Sequence, residues 1–435
     1  MQAVIMAGGK GTRLTSLTKN EIPKPMVKIA GKPILEWQIE QFRNNGITDI
    51  ILAVGHLGQK IKEYFKDGGQ WGVNIRYYHE IEPLGSAGSL YYVKEMLTDS
   101  PFFLAFGDLL FDVDLSRMQA FHHEKLAEAT LFVHPNSHPF DSDLILADAN
   151  DRVIGFDSKK NDRTGYYYDN CVNAGLYLLE SSVCDRILAP AKTDLEKDIL
   201  MLMASRGENI FAYHSPEYVK DIGTPERITA AEQELKAGIV QARNLKKKQK
   251  AVFLDRDGTI NIHNGLVWRE EDFALYPFSA NAVSMLNRSG YLAIIITNQP
   301  VVARGLCSVE EVELIHRKMK TLLGQEGAFL DDVKFCPHHP DRGYPEENPA
   351  YKIACHCRKP DIGMIEECVQ KYNIDLSQSW LVGDTTVDIR TGKNAGCGTV
   401  LVLTGEAGRD GKYNDPPDVV SADLLTSVTQ ILDGR

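Results

Sequence analysis

The sequence predicts an α/β protein built on two doubly wound, mostly parallel sheets. Three observations carry this. Short apolar runs that stop at glycine or aspartate alternate with amphipathic, helix-like stretches. The alternation restarts after residue 250. The chain has 435 residues, against a usual ~100–200 per domain.

In the first half the strand candidates are AVIMAG (3–8), DIILAVG (49–55), NIRYYHE (74–80), FFLAFGD (102–108) and ATLFVH (129–134). Helical stretches between them include ILEWQIEQFRNNG (34–46) and SAGSLYYVKEML (86–97). In the second half the strands are AVFLDRD (251–257), LAIIITNQ (292–299), SWLVGD (379–384) and TVLVL (399–403). Helices are expected over 279–290, 308–325 and 363–373. Such alternation gives parallel sheets with helices on both faces. Residues 225–250 read as one helix ending in the basic run KKKQK, a solvated joint. The expected domains are therefore 1–235 and 250–435, with a helical basic linker over 236–249.

Composition narrows the function classes. A net charge of −11 argues against a nucleic-acid partner, whose phosphates call for basic surfaces. It leaves small phosphorylated ligands open, since these need only a local cluster of donors. No run of ~18 apolar residues predicts a membrane span, and the N-terminus lacks the pattern of a signal peptide. Eight cysteines in this context predict a cytoplasmic enzyme with thiols or metal ligands. A homo-oligomer is compatible with the sequence.

The stretch AGGKGTRL (7–14) has the physics of a phosphate cradle. Gly8, Gly9 and Gly11 follow a strand, so backbone N–H groups can approach an anion, and Lys10 and Arg13 add charged donors. On glycines alone a tight strand-to-helix turn is an equal reading. IPKPM (22–26) holds Lys24 between prolines, EPLGSAGSL (82–90) supplies a second glycine turn, and FGD (106–108) puts Asp108 at a strand end. VNAGLY (172–177) and KDIGTP (220–225) complete the set.

In this order, over residues 1–235, these motifs resemble the sugar-1-phosphate nucleotidyltransferases, heptose 1-phosphate guanylyltransferases among them. The resemblance implies a Rossmann-like fold and attack of a sugar phosphate oxygen on the α-phosphorus of a nucleoside triphosphate. It implies that Arg13 holds the triphosphate, that Lys24 bridges both phosphates, and that Asp108 and Asp221 hold Mg²⁺. Gly8, Gly9, Gly11, Thr12, Glu80 and Gly85 fall where the family binds the nucleotide, and Asn173, Gly175, Lys159 and Glu196 where it binds the sugar. One position departs. The family has Glu-Lys where FDSKK (156–160) has Ser158 before Lys159, which leaves the sugar's identity open.

At the end of AVFLDRD, Asp255 and Asp257 stand two residues apart and so face one side of the strand exit. Asp255 can act as nucleophile and Asp257 as acid and base, with Mg²⁺ offsetting the charge of a phosphate. Thr297 in ITNQ, Lys359 in CRKPD and Asp384 and Asp388 in LVGDTTVDIR follow in order. This set, over 250–435, resembles the haloacid-dehalogenase phosphatases. The resemblance implies that Asp255, Asp257 and Asp384 hold Mg²⁺ and that Thr297, Asn298, Arg358 and Lys359 bind phosphate or substrate.

Cys336, His338, Cys355 and Cys357, in CPHH and CHC, form a Cys₃His set suited to a structural Zn²⁺. His339 and His356 are alternative ligands. The loop resembles that of the D,D-heptose 1,7-bisphosphate phosphatases, although it is longer and TNQPVVARG carries Pro300 and Val301. The expected whole is a bifunctional enzyme acting on a nucleoside triphosphate and sugar phosphates. Alternatives are a mannose- or glucose-1-phosphate enzyme fused to another phosphatase, such as a histidinol-phosphate type, or a nucleotide-sugar sensor that regulates the phosphatase. The pair His122–His123 is expected to be solvated.

Overall fold

Strands that read as unbroken apolar runs are covered on both faces, and the two units of this chain realise that pattern twice. The computed structural model describes all residues except 10–13, 15–17, 20, 99, 344 and 435. Unit one comprises residues 1–134, 143–158 and 171–244; unit two comprises 135–142, 159–170 and 245–435.

In unit one, β1 (Gln2–Ala7), β2 (Asp49–Val54), β3 (Asn74–His79) and β4 (Phe102–Phe106) form a parallel core in the order β3-β2-β1-β4. β5 (Leu109–Asp112) lies off this sheet. β6 (Ala129–His134), β7 (Leu144–Ala147), β8 (Val153–Asp157), β9 (Val172–Leu179) and β10 (Ile210–His214) extend the sheet. β9 enters antiparallel beside β4, and β11 (Tyr218–Asp221) pairs antiparallel with β5. Along β1, Ala3, Ile5 and Ala7 feed one core while Val4 feeds the other, as the two-residue period of a strand requires. Each fully buried aliphatic side chain contributes roughly 1.5–3 kcal/mol.

Unit two is an all-parallel sheet of β12 (Lys250–Leu254), β13 (Tyr291–Asn298), β14 (Asp332–Cys336), β15 (Trp380–Gly383), β16 (Gly398–Val402) and β17 (Val419–Ser421). Their spatial order is β14-β13-β12-β15-β16-β17. The direction of winding reverses between β12 and β15, and in such sheets ligands bind beyond the carboxyl ends at that reversal. In unit one the reversal lies between β1 and β4.

Two stretches from early in the chain complete unit two. They pack on the helix Val309–Gln325, which a Ser308/Glu311 capping box starts. The Tyr168 N–H donates to Thr321 Oγ1 (2.9 Å), the Thr321 hydroxyl donates to Tyr168 O (3.1 Å), and Lys320 Nζ pairs with Asp169 (2.7 Å).

Several expectations need correction. The single helix over 225–250 is two, Pro225–Lys236 and Ile239–Ala242, broken at Gly238 with φ 74°. The stretch 236–249 is not a solvated joint throughout. Val240 packs into unit one and Leu245 into unit two, while Lys246, Lys247 and Lys248 are exposed. Residues 86–97 hold only a short helix, Leu90–Val93, and one 3-10 turn. His122 is buried rather than solvated, with Nδ1 2.7 Å from Thr130 Oγ1; His123 is exposed. Among the described residues no helix is long and apolar enough to cross a membrane.

Candidate active sites

The first cluster sits at the reversal of the unit-one sheet. Pro23 and Pro25 flank Lys24, the first residue of a 3-10 turn. Lys24 Nζ donates to Asp108 Oδ2 and lies 4.0 Å from Asp221 Oδ1. Asp108 follows β4. Asp221 ends β11 and is paired with Leu109, while the Ile222 N–H donates to Asp108 O (2.8 Å). Arg227 Nη1 fixes the other oxygen of Asp221 at 2.6 Å. The fold thus brings together three residues far apart in sequence. Lys10, Gly11, Thr12 and Arg13 lie outside the described residues.

Glu80, just past β3, turns its carboxyl toward Gly8, where an added Cβ would lie 2.1 Å from Glu80 Oε2. Burial raises the Glu80 pKa, against hydrogen bonds from Leu84 and Ser89. Gly9 is exposed, and Gly85 bridges to Thr193 across the same unit. Asn173 Nδ2 donates to Glu196 Oε1 (2.8 Å), and the buried Tyr177 hydroxyl donates to the same oxygen (2.9 Å). Gly175 N–H donates weakly to Asn173 Oδ1 (3.3 Å). Lys159 belongs to a stretch of unit two.

The second cluster lies where β12 and β15 end. Asp255, Asp384 and Asp388 place carboxylate oxygens within 4.8 Å of one another. Lys359 Nζ lies 2.9 Å from Asp255 Oδ1 and 2.5 Å from Asp388 Oδ1, almost wholly buried. Asn298 clamps the Lys359 backbone, accepting from its N–H (3.0 Å) and donating to its carbonyl (3.1 Å). Thr297 is buried and accepts from Gln299 Nε2 (2.9 Å). A cavity of about 440 Å³ opens over Asp255, Asp257, Asn298, Arg358, Lys359 and Asp384.

Burial, then the charges of Asp255 and Asp388, push Asp384 up to about 8. Burial and Asp388 likewise push Asp255 up to about 6, against the pull of Lys359. Lys359 is itself shifted upward, its two carboxylates outweighing burial. Asp384 Oδ1 is buried with no hydrogen-bond partner. Crowded acids with an orphaned oxygen fit a divalent cation such as Mg²⁺.

Cys336, His338, Cys355 and Cys357 converge. Sulfur–sulfur separations run from 3.1 to 3.4 Å, and His338 Nδ1 lies 3.4 Å from Cys357 Sγ and 3.8 Å from Cys336 Sγ. A tetrahedron with Zn–S bonds of ~2.3 Å has edges of ~3.8 Å, somewhat longer than these separations; three thiols and one imidazole converging on one point are the donor set that suits Zn²⁺. His356 instead pairs with Glu366 (2.7 Å), and His339 lines the cavity. Arg358 Nη1 donates to His338 O (3.0 Å), tying the knot to the cavity wall.

Comparison with known proteins matches residues 2–238 to the nucleotidyl transferase family model, more than half of the chain. The chain belongs to the nucleotidyl transferase family. Residues 356–427 match a HAD-hydrolase-like model. The nucleotidyl transferase half is 36% identical over 231 residues to mannose-1-phosphate guanyltransferase beta-B of Xenopus laevis, covering 52% of this chain and 62% of that protein. The chain thus spans less than two thirds of that relative's length. The second half is 40% identical over 161 residues to the D-glycero-beta-D-manno-heptose-1,7-bisphosphate 7-phosphatase of Haemophilus ducreyi, covering 37% of this chain and 86% of that protein. With the homonymous protein of Rhodopseudomonas palustris the figures are 41% over 149 residues, 34% and 81%. The second half of this nucleotidyl transferase therefore belongs with the HAD-like phosphatases.

Two residues of the phosphatase half carry more than the sequence suggested. Asp388, rather than Asp257, completes the acidic triad. It is the N3 residue of the helix Thr386–Ala395, held by a Thr385 capping box. Asp257 faces Arg256, Gln299 and Asn261 instead. Burial alone would raise its pKa; Arg256, then Gln299 and Asn261, outweigh burial and hold it below the usual carboxylate value. Arg256 was invisible as a partner because neighbours along a strand point to opposite sides. The chain leaves the strand at Leu254, which frees that geometry.

Proposed function

We propose that this chain performs two consecutive reactions on one sugar. The phosphatase half removes the 7-phosphate from a D-glycero-D-manno-heptose 1,7-bisphosphate. The transferase half joins the resulting 1-phosphate to a nucleotidyl group, GMP from GTP, and releases pyrophosphate. The observation that carries this is the presence, in one chain, of a Lys24–Asp108–Asp221 cluster and an Asp255–Asp384–Asp388–Lys359 cluster. Relatives named for heptose bisphosphate and for guanyl transfer support the choice of substrates.

In the phosphatase half Asp255 attacks phosphorus and forms an acyl phosphate, with Lys359 at 2.9 Å steadying its charge. Asp257 delivers a proton to the leaving sugar oxygen, then takes one from the attacking water. A phosphate dianion beside Asp257 raises its proton affinity, opposing the hold of Arg256. In the transferase half Lys24 leaves Asp108 to contact the phosphates of both substrates, and charge neutralisation supplies most of the catalysis. Both families use Mg²⁺; here Asp255, Asp384 and Asp388 would hold it at one site and Asp108 and Asp221 at the other, neutralising phosphoryl charge. Zn²⁺ in the Cys₃His knot would order the loop that carries Arg358.

Incubation with heptose 1,7-bisphosphate should release inorganic phosphate. When GTP is added together with the bisphosphate, pyrophosphate release should follow with a lag set by the first step. Pyrophosphate release from mannose 1-phosphate but not from heptose 1-phosphate would replace the heptose reading by a mannose one.

A further inference from the structure

Between β16 and β17 the chain runs through residues 403–418 without helix or strand. Connections longer than ~12–15 such residues are uncommon and are usually either functional or disordered. This one is fixed in place, and it is fixed to the phosphatase site. The Glu406 N–H donates to Asp384 Oδ2 (2.7 Å), and the Gly408 N–H donates to Asp384 O (2.8 Å). Asp410 accepts from both the N–H and the hydroxyl of Thr386 (2.7 Å each), in the first turn of the helix that carries Asp388. The N–H groups of Lys412 and Tyr413 then donate to Thr386 Oγ1 at 3.1 and 3.2 Å. Arg390 lies 5.0 Å over the Tyr413 ring and pairs with Asp415 (2.5 Å).

These bonds bring Lys412 and Tyr413 to the wall of the cavity over Asp255. Among the described residues three permanent cations line it: Arg358, Lys359 and Lys412. Lys359 is held between Asp255 and Asp388, and Arg358 is tied to the His338 carbonyl. Lys412 is exposed, and its ammonium meets no carboxylate or carbonyl among the described residues. A sugar bisphosphate brings two anionic groups. One reacts at Asp255, and the other lies at the far end of the sugar, where its charge calls for a second cation. A lysine ammonium, a compact charge with three donors on a long stem, suits such a phosphate. We propose that Lys412 is a specificity-determining residue of the phosphatase site: it binds the phosphate that is not cleaved and so selects sugar bisphosphates over monophosphates. This assignment rests on the phosphatase reading above.

The test compares kcat/KM for phosphate release from heptose 1,7-bisphosphate with that from p-nitrophenyl phosphate, which carries no second phosphate. Lys412→Ala should lower the ratio of the two about tenfold, as expected for one charge-assisted hydrogen bond, and through KM for the bisphosphate rather than kcat. Lys412→Arg keeps the charge and should restore most of the ratio, which a merely structural role would not produce. Lys412→Glu should lower the ratio further than Lys412→Ala. An unchanged ratio in Lys412→Ala overturns the assignment. So does an equal loss toward both substrates, a loss confined to kcat, or a loss in Lys412→Arg as large as in Lys412→Ala. Release from p-nitrophenyl phosphate but none from the bisphosphate by the unaltered chain overturns this assignment and leaves the phosphatase chemistry standing. No release from either substrate would instead overturn the phosphatase reading itself.

Discussion

Arg256 grips Asp257, its own neighbour in sequence: Nη2 donates to Oδ1 at 3.0 Å and to Oδ2 at 2.9 Å, and Nε donates to Oδ1 at 3.1 Å. Arg256 is fully buried. Behind it, His316 Nε2 lies 3.3 Å from Arg256 Nη1 and serves as acceptor, while Gln299 Oε1 accepts from Nη2 (2.9 Å). The carboxylate of Asp257, the proposed acid, is thus aimed by a buried cation, which is aimed by an imidazole.

His316 acts through Arg256, so its replacement should affect turnover more than binding. His316→Leu leaves a buried N–H unsatisfied, which costs roughly 1–3 kcal/mol. The expected result is a fall of about tenfold in kcat for phosphate release with KM unchanged. His316→Gln, which keeps an acceptor, should recover most of it.

The same histidine makes stability depend on pH. Burial, then the charges of Arg256 and Lys320, hold its pKa well below the ordinary 6.5. A depressed histidine contributes stability in full above its unfolded value, and that contribution is lost as pH falls below 6.5. The slope is about 1.4 kcal/mol per pH unit until the folded pKa is reached. Urea unfolding of the unaltered chain and of His316→Leu between neutral and mildly acidic pH should show this slope in the difference between the two stabilities, where the opposing contributions of Asp255 and Asp384 cancel.

The two clusters should be separable by substitution. Asp255→Asn should lower phosphate release by at least ~10³-fold, as expected for a nucleophile, while pyrophosphate release persists. Asp108→Asn should do the reverse. Parallel assays of both products on each purified variant check this. Loss of both activities in a folded single variant contradicts two independent sites.

Gly258 holds the floor under Asp384. Its φ is 83°, and an added Cβ would lie 2.2 Å from Asp384 Oδ2. Gly258→Ala should displace that carboxylate and raise the Mg²⁺ concentration for half-maximal phosphate release by at least ~10-fold. Titration of activity with Mg²⁺ measures it.

The Cys₃His knot should carry one equivalent of zinc per chain by elemental analysis. Cys355→Ser should lower zinc content and melting temperature together, since the energy of binding a structural metal is energy of folding.

Much of both folds was legible because long apolar runs and their stops say where strands end, and open α/β sheets put chemistry there. Asp108, Asp255 and Asp384 were singled out that way, and each stands just past the end of a strand. The convergence of Cys336, His338, Cys355 and Cys357 was legible from ligand type, spacing and the resemblance of the loop. What spacing cannot reveal is where a side chain turns after its strand ends. Asp257 turns to Arg256, and Asp388 enters the acidic triad through a helix cap. Gly238 broke a helix that the surrounding charge pattern favoured, because its left-handed conformation ends the hydrogen-bond ladder there.

Unit two is stitched from three separate stretches of chain, and this bears on any attempt to divide the gene. A polypeptide beginning at Leu245 would lack Tyr168 and Asp169. Thr321 and Lys320 would then meet water where they now meet a peptide group and a carboxylate. The phosphatase half borrows part of its own surface from the reading frame of its neighbour. A faithful split would have to carry residues 135–142 and 159–170 along as grafts, and a fusion once made in this manner is hard to undo one half at a time.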